Sequence, residues 1–318
     1  MVSPLLFLIQ HGVKSYIFLI CDAQIGWPVG WFLGSLIAFL VVPAWGWRWL
    51  FVIGVIPALF VIWVRRSVEE PERFKDMQEL RKKAREVAAK KGEALREAAA
   101  EVATEFQVAK DKAVQFTYRQ LFASDLARTS ILIFLWQVIY NYGAGAIISW
   151  LPAVFLFYKV PLVNLYEASA WATGIAVLGY LSAAALGERF GRREISVLYL
   201  VIGAISGYML AFHANNFVSI TVYYSGYYFF TIGQMGAAVA FALESFPTRA
   251  RGTGGSLLAV ATWIGFIAAG FTGPMLFKAM GTAGAVALWT LVCSLIPAFL
   301  ALGTKHVKPG RELEDIVV

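Results

Sequence analysis

The sequence predicts an all-α protein, a polytopic bundle of about eight transmembrane helices. Three observations predict it. Of 318 residues 59% are hydrophobic and only 15% charged, where a soluble domain carries about a quarter of its residues as charges. The charges are also clustered, so that 23–47, 49–64, 129–158, 168–187, 195–243, 252–277 and 279–304 hold no Asp, Glu, Lys or Arg. These runs lack period-two alternation and are too long for transmembrane strands, which excludes a barrel. A mean hydropathy of +0.67 and an aromatic content of 15% fit a surface that meets lipid and its interfaces.

Taken in order, 1–22 is undecided. Its apolar part, 5–20, is interrupted by Gln10, His11 and Lys14 and reads equally as a frayed span, an interfacial helix or a misplaced start. No basic residue precedes it, which disfavours a signal peptide. Two spans follow in 23–64, near 25–43 and 47–64. The second has a short charge-free run and crosses only if Arg48 and Arg65 reach out to the headgroups. Segment 65–128 differs from its surroundings. Within it, 74–113 is rich in Ala, Glu, Lys and Arg, with the opposite pair Glu86/Lys90 beside the like pair Glu93/Glu97, and predicts a long surface helix. A solvated connector accounts for it, and so does a surface for a partner or for anionic lipid. Six more spans, near 130–157, 167–187, 195–212, 218–243, 254–277 and 283–303, make up 129–304, with a turn at 213–216. A tail, 305–318, ends the chain.

With eight alternating spans, one side receives 65–128, 188–194, 244–251 and the tail. Of the 27 Lys and Arg residues, only Lys14, Arg48, Lys159 and Lys278 fall elsewhere. The positive-inside rule therefore places the long loop and the C-terminus in the cytoplasm.

Enzyme chemistry is not indicated. Cys21 and Cys293 stand alone, and His11, His213 and His306 are scattered. No metal-ligand spacing, phosphate loop or nucleophile motif is present. No cofactor, metal or nucleic acid is expected; the bilayer and a small molecule are the expected partners.

Two short basic loops carry the mechanistic signal. One runs Leu186-Gly187-Glu188-Arg189-Phe190-Gly191-Arg192-Arg193, the other Glu244-Ser245-Phe246-Pro247-Thr248-Arg249-Ala250-Arg251-Gly252. Each sets a carboxylate at a helix end, then a tight turn, then cations. Ion pairs between such ends hold helices in one conformation and act as a latch if they break in another. Obedience to the positive-inside rule alone explains the cations equally well.

These loops resemble the major facilitator superfamily of transporters. Residues 184–193 are similar to its G-x-L-x-D-R-x-G-R-R loop, with Ala184 for the first Gly and Glu188 for the Asp. Glu244, Pro247, Arg249, Arg251 and Gly252 resemble its E-x-x-P-T-x-x-R-G turn between the tenth and eleventh helices. Trp45-Gly46-Trp47-Arg48-Trp49 with Pro57 looks like the family's sixth helix, and Trp150-Leu151-Pro152 like the outer end of the seventh. The likeness covers about 22–310. Stretch 39–74 looks closest to symporters of organic acids such as sialic acid and short monocarboxylates. Lys305-His306-Val307-Lys308-Pro309-Gly310 departs from the P-x-E-T-K-G run of sugar porters.

The resemblance implies alternating access around a midplane site between two six-helix halves. It implies a conformational gate at Glu188, Arg189, Arg192, Arg193, Glu244, Arg249 and Arg251. It also implies that the first four helices are missing, to be supplied by an absent N-terminal segment or a second chain. Polar groups inside spans are costly without partners and so are candidates for the substrate site. These are Gln137, Tyr140 and Asn141, then Tyr223, Tyr227 and Gln234 on one stripe with Thr231, and Trp263. Helix packing and an interfacial tyrosine belt are the plainer reading of the same residues. Gly30/Gly34 and Gly203/Gly207 have the spacing of helix-packing contacts. No Asp, Glu, Lys or Arg lies deep in a span, so proton coupling is implied by the resemblance alone.

The expected function is secondary transport of a small organic acid with protons across the plasma (inner) membrane. The alternatives are a carrier of sugar or another neutral solute and, from another class, a transport-inactive truncated membrane protein that acts through its cytoplasmic helix.

Overall fold

A computed structural model describes residues 13–67, 121–122, 126–161, 163–246 and 250–304. Among them the regular structure is entirely helical. In chain order we label α1 Val13–Trp45, α2 Arg48–Ser67, α3 Ala127–Phe157, α4 Val163–Phe190, α5 Arg192–Phe212, α6 Phe217–Tyr227, α7 Met235–Glu244, α8 Arg251–Ala287 and α9 Cys293–Leu302. Two five-residue π-helical turns, Tyr228–Ile232 and Leu288–Val292, join α6 to α7 and α8 to α9.

Among the described residues, six helical stretches are long and apolar enough to cross a membrane: Gly26–Trp45, Ala127–Phe157, Asn164–Phe190, Arg192–Phe212, Phe217–Glu244 and Gly252–Leu302. The last has 51 residues. At about 1.5 Å per residue it is more than twice the hydrocarbon thickness. It breaks at Gly281, whose φ of 72° and ψ of 176° suit glycine almost alone, and so supplies the two spans expected near 254–277 and 283–303. The span expected near 47–64 appears as the shorter apolar helix Arg48–Val61. At the other end α1 reaches back to Val13, so part of the undecided segment continues the first helix. Most of the expected connector 65–128 and the tail 305–318 lie outside the described residues.

Small residues let several of the helices approach closely. α3 packs along α8 and α9, α1 lies along α4, and α5 sits against α6, α8 and α9. The backbones of α4 and the end of the π-helical turn come close together. Gly233 and Gly179 meet there, and a Cβ on Gly233 would lie 2.7 Å from the Gly179 Cα. Gly203 and Gly207 of α5 do pack, against Thr231 and Thr290, as their spacing leads one to expect. Gly30 and Gly34 do not: nothing comes within 4 Å of a Cβ at either. They lie on an open stretch of α1, where spacing without a facing helix gives no contact.

The main apolar core contains Phe155, Leu210, Tyr224, Tyr227 and Trp289. A second cluster gathers Trp136, Phe241, Phe246 and Leu258. Large side chains are exposed along the outside, among them Phe51, Ile56 and Trp63 on α2 and Phe271 and Met275 on α8. Exposed apolar area on this scale is the mark of a surface that meets lipid or another chain rather than water.

Candidate functional site

A cavity of about 400 Å³ opens among α1, α3, α4, the 228–232 turn, α7 and α8. α1 contributes Trp27 and Trp31, one helical turn apart, with ring centroids 6.0 Å from each other. α3 contributes Trp136 and Tyr140, stacked at 6.1 Å and 12° between planes, together with Gln137 and Asn141. Tyr180 of α4, Tyr228 of the π-helical turn and Thr262 and Phe266 of α8 complete the aromatic and polar lining. No Asp, Glu, Lys, Arg or His is among the lining residues.

The polar groups are held in a fixed arrangement. The Thr262 hydroxyl donates to the Leu258 carbonyl at 2.9 Å. Its oxygen accepts from Gln137 Nε2 at 2.8 Å, which fixes the orientation of the Gln137 amide. Asn141 Nδ2 donates to the Gln137 carbonyl at 2.8 Å. The Tyr140 hydroxyl donates to the Thr231 carbonyl at 3.0 Å. That carbonyl lies in the π-helical turn, where the bonding shifts from i+4 to i+5 at Gly233 N–H to Tyr228 O and leaves backbone acceptors in need of partners. Gln137 Oε1 is buried and has no hydrogen-bond partner.

The structure thus brings Gln137, Tyr140 and Asn141 together in one cavity. Tyr223, Tyr227, Gln234 and Trp263 are not among its lining residues. Tyr227 is buried in the apolar core, with Tyr223 packed at its edge. Gln234 is fully buried and accepts a hydrogen bond from Ser196 Oγ. Trp263 is 67% exposed. On a helix it stands about 100° from Thr262, so the residue beside it faces the cavity and it does not.

At the end of the bundle that carries the basic loops, Arg192 Nη1 donates to Glu244 Oε1, tying the start of α5 to the end of α7. Both side chains are mostly buried. Arg193 pairs with Glu194 at 2.9 Å and donates to the Thr304 carbonyl at 2.8 Å, which fastens α5 to the end of the last helix. Glu188 and Arg189 are exposed, with Arg189 over the Phe190 ring at 5.3 Å. Arg249 lies outside the described residues, and Arg251 opens α8. Trp27, Trp31, Trp136, Tyr180, Thr262 and Phe266 were not legible as site residues. In an aromatic-rich membrane sequence the same residue types also cover lipid-facing surface.

A multi-pass helical bundle around a small cavity with an aromatic and polar lining has the build of a solute carrier. Residues 18–317 match the family model for sugar (and other) transporters, and the chain belongs to that family, within the major facilitator class. The Niacin transporter NiaP of Acinetobacter baylyi is 26% identical over 295 residues, 91% of this chain and 65% of that protein. The Putative niacin/nicotinamide transporter NiaP of Bacillus subtilis is 26% identical, over 79% of this chain and 54% of its own length. The Cis,cis-muconate transport protein of Acinetobacter baylyi is 25% identical, over 91% and 64% respectively. The chain therefore spans between half and two thirds of the length of these relatives. No solved structure matches it significantly.

Proposed function

We propose that the chain carries a small organic acid, together with protons, across the plasma (inner) membrane by alternating access. The observation that carries this reading is the cavity of about 400 Å³. It stands at the lower end of the range for small-molecule sites, about 300–1,000 Å³, and joins an aromatic lining to a few fixed polar groups. The names of the relatives support the acid, since niacin and cis,cis-muconate are small conjugated acids. The bonds Arg192–Glu244 and Arg193–Thr304 close one end of the bundle and serve as the latch of one conformation. The long connector and the C-terminus face the cytoplasm, by the charge bias of the loops.

Uptake of labelled niacin and muconate into cells producing the full chain tests the cargo. Accumulation should exceed that of non-producing cells and fall at least tenfold in Trp31→Ala. Uptake at the background level for both acids defeats the cargo assignment. Orientation is tested separately with an impermeant thiol reagent on intact cells. Lys159→Cys should label, and Arg189→Cys should label only after the cells are opened.

Transport of a neutral solute is the second reading. The lack of a charged residue among the lining residues favours it, and labelled glucose or nicotinamide accumulating in place of the acids would decide for it.

A further inference from the structure

The lining of the cavity offers two kinds of surface to a solute. Trp27 and Trp31 of α1 and Trp136 and Tyr140 of α3 supply broad aromatic walls. Such walls hold the body of a solute by packing but give it little direction, which comes from a few placed polar groups. Most polar groups here are tied into the protein. The Thr262 hydroxyl donates to the Leu258 carbonyl, Gln137 Nε2 to Thr262, Asn141 Nδ2 to the Gln137 carbonyl and the Tyr140 hydroxyl to the Thr231 carbonyl. Each of the two amides keeps a second N–H, whose direction the bond already made sets. Gln137 Oε1 and Trp136 Nε1 have no partner, but both are closed to water and so to a solute.

Tyr180 of α4 differs from all of these. It lines the cavity and is only 4% exposed. Its hydroxyl makes no hydrogen bond among the described residues, and it is not one of the polar atoms sealed from water. The access it keeps is therefore to the cavity. A buried hydroxyl left without a partner is costly and calls for an explanation. The indole N–H groups of Trp27 and Trp31 also lack a partner in the protein. Those side chains are partly open to water, where that cost does not arise.

The backbone that carries Tyr180 is clamped on two sides. Gly236 of α7 leaves no room for a Cβ against the Tyr180 carbonyl, and Gly179 leaves none against the Phe229 carbonyl. A polar group mounted on closely packed helices is in place before the solute arrives, which gives a binding site its precision.

We infer that the Tyr180 hydroxyl is a solute-contacting group of this cavity and donates its hydrogen to an oxygen of the solute. The assignment rests on the transport function proposed above and names a residue that reads the cargo. A phenol hydroxyl serves a carboxylate, a carboxyl or an amide oxygen alike, so the assignment holds for any of the three. The aromatic walls carry the ring or chain of the solute, and Tyr180 sets which end of it points toward α4.

The test uses the purified full chain in lipid nanodiscs. Niacin and pyridine serve as probes, and quenching of tryptophan fluorescence as the readout. The two share a ring, and pyridine has no oxygen. Tyr180→Phe should raise the Kd of niacin roughly five- to tenfold, the usual worth of one hydrogen bond. It should leave the Kd of pyridine unchanged. The substitution removes only a hydroxyl that bonds to nothing in the protein, so the melting temperature should hold.

An unchanged niacin Kd overturns the inference, because water alone then meets the hydroxyl. An equal loss for both probes overturns it as well, since the packing of the ring would then be what counts. The wild-type pair needs no variant: niacin bound no tighter than pyridine, or no binding of niacin, also overturns it. Labelled niacin uptake into cells producing the full chain keeps the two claims apart. Niacin accumulation alongside a niacin Kd that Tyr180→Phe does not change defeats the Tyr180 assignment only. The expected binding pattern without uptake of niacin, muconate or glucose defeats the transport reading only.

Discussion

Arg192 and Glu244 are 52 residues apart in sequence, yet they form the ion pair that joins the first residue of α5 to the last residue of α7. Both side chains are mostly shielded from water, so losing one partner strands a partly buried charge, whereas a surface pair would cost little. Replacing Glu244 by Gln should lower stability by about 1.5–3 kcal/mol, the usual worth of a hydrogen bond to a charged group. Thermal unfolding of the detergent-solubilised chain measures this. The exchange Arg192→Glu with Glu244→Arg should recover part of the loss, and a double variant that melts below both singles would sink the pairing. The sequence made the ingredients legible: a carboxylate and arginines at each of two helix ends. It could not show which acid meets which arginine. Glu188, four residues before Arg192 in the basic loop, is exposed.

Single elements show where periodic patterns carry information and where they fail. The helices were legible because charge-free runs of the right length have one physical solution in a bilayer. The break inside Gly252–Leu302 was legible too, since a 51-residue apolar stretch cannot be one span. Glycine spacing was a weaker guide, because it reports a packing face only where another helix is present. Gly281 and Gly30 make the contrast testable. Gly281→Ala forces a side chain onto φ 72°, ψ 176° and should cost about 1–3 kcal/mol. Gly30→Ala meets open space inside a helix and should gain up to about 1 kcal/mol. Thermal melts of the two variants check this, and a Gly281→Ala chain as stable as the wild type would count against the kink. The tyrosines of α6 illustrate a failure of a different kind. A stripe through Tyr223, Tyr227, Thr231 and Gln234 assumes 3.6 residues per turn throughout, but the π-helical turn at Tyr228–Ile232 adds a residue and ends that register. Tyr227 and Tyr228 both belong to the apolar core, and only Tyr228 also lines the cavity.

For the whole molecule, the question is which surface belongs to the solute path and which to the surroundings, and two neighbouring residues of α8 put it to the test. Thr262 lines the cavity, and Trp263 is 67% exposed on the outer side. Both were in reach of the sequence, but an indole draws attention as a stacking group while a threonine bonded to its own helix does not. Only the assembled bundle tells them apart. In a chain with Cys21→Ser and Cys293→Ser, Thr262→Cys should react with a small cationic thiol reagent entering from water. Niacin held at saturation should slow that reaction several-fold, because reagent and ligand compete for one volume. Trp263→Cys should react with an apolar maleimide at a rate that niacin leaves unchanged. Protection at 263 and none at 262 would place the solute path on the other face of α8 and remove the cavity from the mechanism. The expected pattern would fix the path between α3 and α8, where Gln137 and Thr262 are hydrogen-bonded across the two helices. Solute binding would then bear directly on the contact that holds these two helices together.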